Sequence, residues 1–131
     1  MVYPSTSGLV GERFDAAGNH VGLPFNANTL TTSAASARMD VFADGGYVVA
    51  WSGYTPTGGP AGVYTQRYNA DGSKNGSETL VAAVSSQLTQ VKVLADGSFI
   101  VSWGVYSGPA AVNYRHYSAQ GAPLGGVIQL T

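Results

Sequence analysis

Cysteine is absent from the chain, so disulfides and thiolate metal sites are excluded. Charge is scarce as well, since six Lys and Arg against seven Asp and Glu give a formal net charge of −1 over 131 residues. A chain without a basic field has little with which to neutralise phosphates, so we expect no nucleic-acid partner. No segment approaches the roughly 18 consecutive apolar residues of a membrane-spanning helix, so we expect no membrane insertion.

Residue types that build catalytic or metal sites are also few. The chain has two histidines, His20 and His116, and it lacks GxSxG, HExxH and phosphate-loop motifs. Most of the carboxylates fall in predicted turns, where Asp caps its own backbone. The loop at 69–76, NADGSKNG, resembles a calcium loop superficially, but it lacks the terminal bidentate Glu. We therefore expect no enzyme activity, no metal and no cofactor.

What the chain does have is a repeat of about 50 residues. Trp51 and Trp103 are 52 residues apart, and so are Asp44 and Asp96. Self-similarity at a fixed period of this size is typical of repeat architectures, in which each unit packs against its neighbours. The chain is interpreted as one domain, 1–131, and its copies are assigned to repeat 1 at 8–61, repeat 2 at 62–110 and a partial repeat 3 at 111–131.

Two β-hairpins are predicted in each full copy. Apolar residues alternate in Tyr47, Val49 and Trp51, as a strand with one buried face requires, and an Asp-Gly turn precedes them. The same order recurs at Phe99, Val101 and Trp103. The predicted hairpins pair 39–43 with 46–52, 91–95 with 98–103, 62–68 with 77–82, and 8–14 with 23–27.

Glycine recurs at the fourth and eighth positions of the loop in the 62–82 hairpin and in its two other copies. Such spacing predicts backbone positions that need a positive φ or a close approach. These glycines are Gly18, Gly22, Gly72, Gly76, Gly121 and Gly125.

No segment keeps a helical period, so the predicted fold is all-β. Four short antiparallel strands per repeat are typical of a propeller blade, and the chain holds about 2.5 such repeats. A two-sheet β-sandwich is the alternative. The hairpin with the Asp-Gly turn occurs twice, at 39–52 and 91–103, whereas the hairpin with the two loop glycines occurs three times. Because these numbers are unequal, and open ends would leave strand edges unpaired, we expect a homo-oligomer or a place in a longer array.

The segments GVYTQRYNADGSKNGSETLV and VLADGSFIVSW resemble a tandem repeat of large bacterial secreted or surface proteins of the RTX and adhesin type. In that repeat the consensus looks like QRFDADG followed by LADGGFVVxW. The third copy departs from it, with His116 in the Arg position and Gln120 in the Asp position. The resemblance implies an extracellular or cell-surface module and assigns no catalytic residues, although the first ten residues do not have the pattern of a signal peptide.

Carbohydrate binding is the predicted function, because aromatic rings beside Gly/Pro-rich loops and polar side chains suit sugars. Repetition of the site would make such a module multivalent towards a glycan or other cell-surface ligand. Its alternative is a structural spacer or self-assembling repeat unit without a ligand. For the two Trp residues, packing between repeats is the other interpretation, and for Arg67 it is a cross-strand pair with Glu78. The candidate ligand-binding residues are Trp51, Tyr54, Gln66, Arg67, Trp103, Tyr106 and Arg115.

Overall fold

The computed structural model describes residues 1–5, 8–27, 33–54, 61–86, 88–105 and 109–130. Within those ranges the regular secondary structure is entirely β, as predicted. The strands are β1 (Val2–Ser5), β2 (Gly8–Gly11), β3 (Phe25–Asn26), β4 (Ser33–Val41), β5 (Tyr47–Tyr54), β6 (Gly62–Tyr68), β7 (Lys74–Ala82), β8 (Thr89–Val93), β9 (Phe99–Val105), β10 (Ala111–Tyr117) and β11 (Ile128–Leu130).

These strands form three antiparallel sheets, and in each sheet neighbours along the chain are neighbours in space. We call them the first sheet (β1–β3), the middle sheet (β4–β7) and the third sheet (β8–β11). None of the three closes into a barrel within the described residues. Repeat 1 as predicted contributes β2 and β3 to the first sheet and β4 and β5 to the middle one, so each full repeat of the sequence spans two sheets.

The predicted hairpins are present with the expected partners. Met39 pairs with Val49 in the middle sheet, and Val91 pairs with Val101 in the third. One irregularity lies in β4, where the register shifts between Ala35 and Arg38 and Ser36 has a φ of 51°. A bulge of this kind bends a strand and increases its local twist.

Short side chains fix the turns between the strands. The carboxylate of Asp71 accepts hydrogen bonds from the backbone N–H and the hydroxyl of Ser73, and Asp96 accepts the same two bonds from Ser98. These bonds favour the ionised form and hold the pKa of both carboxyl groups below its ordinary value. Gly72, which follows Asp71, has a φ of +88°, a conformation that glycine adopts without steric cost.

The middle sheet is buried on both faces. Alternate residues of β5 point to opposite faces of this sheet. One face carries Tyr47, Val49 and Trp51, which pack with Leu9 of the first sheet in one apolar cluster. The other face carries Val48 and Ala50, which belong to a second cluster with residues of the third sheet: Phe99, Val101, Trp103 and Tyr117. The sheets are therefore stacked face to face, with the middle sheet between the other two.

A polar contact links the first strands of the middle and third sheets. The carboxylate of Asp40 on β4 accepts a hydrogen bond of 2.8 Å from the backbone N–H of Val93 on β8, and Lys92 Nζ lies 3.5 Å from the same oxygen. The bond from Val93 is the main cause that lowers the pKa of Asp40. This contact holds β4 and β8 side by side at one edge of the stack.

Candidate functional site

Both tryptophans that were predicted to contact a ligand lie in the apolar clusters. Trp51 is fully buried and stacks on Tyr64, with the ring centroids 6.1 Å apart, and Trp103 is 2% exposed. Their rings pack between sheets, as the alternative interpretation proposed, and neither offers an open face to a sugar. The side chain of Tyr54, at the end of β5, and the whole of Tyr106 lie outside the described residues.

The polar candidates Gln66 and Arg115 occupy the same position in their repeats and make the same contact. Gln66 Nε2 donates to the carbonyl oxygen of Gly76 at 3.0 Å, and Arg115 Nε donates to that of Gly125 at 3.1 Å. In both cases the acceptor is the second glycine of the hairpin loop, ten residues along the chain. These side chains close their own loops, which satisfies backbone carbonyls that the strands leave without partners.

Arg67 makes its contact with the next sheet. It lies on β6 of the middle sheet, and its guanidinium donates to the carbonyl oxygen of Ala119, in the β10–β11 loop of the third sheet, at 3.1 Å. Burial lowers the pKa of this guanidinium. This hydrogen bond of Arg67 joins two sheets, and the residue opposite Arg67 on β7 is Asn75.

The same contact occurs one sheet earlier. Arg13, which follows β2, takes the position of Arg67 in the first copy, and it donates to the carbonyl oxygen of Ala70 in the middle sheet at 3.2 Å. Ala70 and Ala119 are equivalent residues of their loops. We call this repeated bond between an arginine and the hairpin loop of the following sheet the arginine contact.

A glycine lies beneath the guanidinium in each arginine contact. A Cβ placed on Gly72 would stand 3.0 Å from Arg13 Cζ, and a Cβ on Gly121 would stand 2.6 Å from Arg67 Nε. At both glycines φ is positive, +88° and +85°. Glycine therefore meets two needs at once here, a left-handed turn and room for the arginine of the preceding sheet.

His116 of the third sheet stands where Arg13 and Arg67 stand in the others, and it binds within its own sheet. Its Nε2 lies 2.8 Å from the hydroxyl of Ser98, which in turn donates to the carboxylate of Asp96. Since the hydroxyl proton goes to Asp96, the imidazole nitrogen is the donor to Ser98. In a hydrolase triad the histidine accepts the proton of the serine and the carboxylate orients the histidine, so this geometry fits a turn cap better than a nucleophile.

A cavity beside the contact of Arg13 opens between the first and middle sheets. Its volume is about 400 Å³, and its wall includes Glu12, Arg13, Phe14 and Tyr47. Phe14 is 40% exposed and its ring lies 4.5 Å from that of His20. The cavity thus combines an accessible aromatic ring with a carboxylate and a guanidinium.

Arg13 is not among the candidate residues that the sequence predicts. The signal was present, because each arginine is followed five residues later by a glycine of the loop, Gly18 or Gly72. The pattern does not indicate towards which loop the arginine side chain points. Each arginine reaches the loop of the following copy, more than 50 residues away along the chain, and not its own.

Among the described residues, no helix is long and apolar enough to cross a membrane. Across the same ranges, no three His, Asp or Glu side chains are grouped as a metal site requires. Comparison of the chain with protein-family models, with curated proteins and with solved structures gave no match.

Proposed function

We propose that the protein is a non-enzymatic structural repeat unit whose sheets are blades of a propeller-like array. The observation that carries this proposal is the repetition of the arginine contact. Arg13 with Ala70 and Arg67 with Ala119 join successive sheets by the same bond, and a similar apolar cluster accompanies each. An interface that recurs from sheet to sheet is the basis of repeat proteins, in which each unit is stabilised by its neighbours.

The strand order within the sheets supports a blade arrangement. Each four-stranded sheet is a simple meander, and the first strands of neighbouring sheets, β4 and β8, lie in contact. In a propeller the first strands lie nearest the axis and about 4–8 blades complete the ring. Face-to-face packing also fits the sandwich alternative, but both faces of the middle sheet are covered, as they are in an internal blade.

The resemblance of the sequence to the tandem repeat of bacterial secreted and surface proteins supports an extracellular or cell-surface location for such a unit. A low-charge chain rich in glycine and tyrosine, with short turns and without cysteine, suits a rigid spacer or scaffold of this kind. Reach and self-association are then the functions of the repeats.

Two single substitutions, one at each arginine contact, test this function. Replacement of Arg13 or Arg67 by Met keeps the apolar stem and removes the hydrogen bond. The Arg67 variant is expected to lose about 1.5–3 kcal/mol of unfolding free energy, and the Arg13 variant less because its bond is exposed. Urea unfolding followed by tryptophan fluorescence measures this. Variants as stable as the parent would contradict the proposal, because the arginines would then have no part in joining the sheets.

Glycan binding is the second candidate, and the cavity beside Phe14 favours it. A panel of mono- and oligosaccharides, added at millimolar concentration, is expected to leave the unfolding temperature unchanged if the unit is purely structural. Phe42 is the control, because its ring packs against Phe99 and is not part of this cavity's wall. A saturable rise with one sugar class, lost in Phe14→Ser and kept in Phe42→Ser, would support a glycan site at this cavity, since a ligand that binds only the folded state stabilises it. That result would overturn the purely structural function.

A further inference from the structure

The outer face of the third sheet carries exposed apolar residues on its last two strands, β10 and β11. Val112 on β10 and Leu130 on β11 lie opposite each other and are 49% and 55% exposed. The equivalent residues of the middle sheet, Val63 and Val81, are 0% and 3% exposed because the third sheet covers them. A cavity of about 370 Å³ opens on this outer face, lined in part by Leu88, Ser102, Val112 and Leu130.

The first sheet carries the unfilled half of the same interface. Gly18 has a φ of +86° and is equivalent to Gly72 and Gly121, yet no atom lies within 4 Å of the position where its Cβ would stand. At Gly72 and Gly121 that position is taken by the arginine of the preceding sheet. The loop around Gly18 therefore has the shape that accepts an arginine contact, and within the described residues no preceding sheet supplies one.

The outward side of the first sheet also has the composition of a packing face. Leu9 points inward to the middle sheet and is fully buried, so its neighbour Val10 points outward. Val10 pairs with Tyr3 across β1 and β2, and both are half-buried. In the middle sheet the residue at the position of Val10 is Tyr64, which is 6% exposed against the first sheet.

We propose that the outer face of the third sheet binds the first sheet of a second copy of this chain, head to tail. This inference rests on the proposed function, and it names the partner and the two surfaces. A second copy is the expected partner because its first sheet would repeat an interface already present in the chain. That interface joins the first sheet to the middle one and the middle one to the third. A head-to-tail interface is heterologous, so it produces a ring if the rotation closes and a filament if it does not.

His116 marks where this contact differs from the internal ones. It takes the arginine position of the third sheet, next to the face that the partner would cover, and it is held by Ser98. Opposite it, the second copy would place the loop of Asp15 to Gly18. Because an imidazole is shorter than an arginine side chain and reaches that loop less well, association between copies is expected to be weaker than the packing of sheets within one chain.

Two blocked variants test the proposal by sedimentation velocity over a range of concentrations. The third-sheet variant carries Val112→Lys and Leu130→Lys, and the first-sheet variant carries Val10→Lys. Each is expected to be monomeric alone, whereas an equimolar mixture is expected to form a dimer through the one intact pair of faces. Leu80→Lys is the matched control, because Leu80 is 48% exposed on the middle sheet and is expected to leave association unchanged.

Circular dichroism checks that each monomeric variant is folded. His116→Arg is expected to tighten association about tenfold by restoring the charged hydrogen bond. A parent chain that stays monomeric at every concentration would overturn the proposal, as would a first-sheet variant that still dimerises, since the third sheet would then bind a copy of itself. Such failures leave the Arg13→Met and Arg67→Met results untouched, so they are distinguishable from failure of the proposed function.

Discussion

Alanine at Gly121 and at Gly18 should destabilise the protein to different extents, although the two glycines have almost the same backbone. Their φ values are +85° and +86°. A Cβ at Gly121 would stand 2.6 Å from Arg67 Nε and 3.1 Å from Arg67 Cζ, whereas a Cβ at Gly18 meets no atom within 4 Å. The pair therefore separates the strain of the turn from the contact with the arginine.

The loss of stability that both alanine variants share is small. A left-handed conformation costs a residue with a Cβ about 1–2 kcal/mol, and the lower entropy of the unfolded alanine chain offsets about 0.4–1 kcal/mol of it. Gly18→Ala should therefore lose about 1 kcal/mol. Gly121→Ala must in addition displace the guanidinium from Ala119, and a hydrogen bond with a charged donor contributes about 1.5–3 kcal/mol. We expect a total loss of about 2–3 kcal/mol for Gly121→Ala, because the flexible arginine recovers part of the bond.

Urea unfolding in dilute solution, where copies do not associate, measures both variants. Arg67→Met supplies the decisive background, since removal of the guanidinium should reduce the cost of Gly121→Ala to that of Gly18→Ala. Such a double-mutant cycle isolates the coupling between the two residues. Equal losses for Gly18→Ala and Gly121→Ala in the parent chain would refute the arginine contact as the structure describes it.

Three further predictions concern the packing between sheets. Tyr68→Phe should lose about 1–2 kcal/mol of unfolding free energy, because the Tyr68 hydroxyl donates to the carbonyl oxygen of Ala27 beside the first sheet. Tyr47→Phe is its control and should be neutral or stabilising. The buried Tyr47 hydroxyl has no hydrogen-bond partner in the described structure, and Phe99 stands at the equivalent position. Thermal unfolding of the two variants tests both expectations, and equal losses of stability would contradict them. Asp40→Asn should destabilise more at pH 7 than at pH 3. The Val93 hydrogen bond lowers the folded pKa of Asp40, so the contribution of the carboxylate is fully present above the unfolded pKa and is lost as pH falls through the folded one. A destabilisation that is as large at pH 3 as at pH 7 would contradict this. Trp51→Ala should lose about 3–5 kcal/mol, since a fully buried ring leaves a cavity between two sheets, and a loss below 1 kcal/mol would show that the ring is not packed there.

The strands and turns could be predicted from the sequence because their causes are local. Alternation in Tyr47, Val49 and Trp51 depends on the period of a strand alone, and Asp96 caps a turn two residues away. Glycine at the loop positions likewise indicated a positive φ, and Gly72 and Gly121 have it. These features need no knowledge of what packs against them.

The roles of the polar residues could not be predicted, because they depend on which sheet lies opposite. Gln66 and Arg115 resemble ligand-binding side chains in a list of residue types, but their partners are loop carbonyls. Arg67 was expected to pair across its own sheet, and its acceptor belongs to the next one, 52 residues along the chain. Sheet-to-sheet placement is a long-range property, and the repeat pattern by itself specifies the unit but not the neighbour.

Strand β5 has neither an open edge nor an open face. β4 and β6 flank it, and Val48, Val49, Ala50 and Trp51 are all fully buried. Its amide hydrogens should therefore be among the last to exchange with solvent, because they are released only when the sheets separate. The same uncharged run, YVVAW, has the composition that promotes intermolecular strand pairing when exposed. The first and third sheets thus protect an aggregation-prone segment, and loss of either one would expose a face of β5 to pairing and packing with other chains.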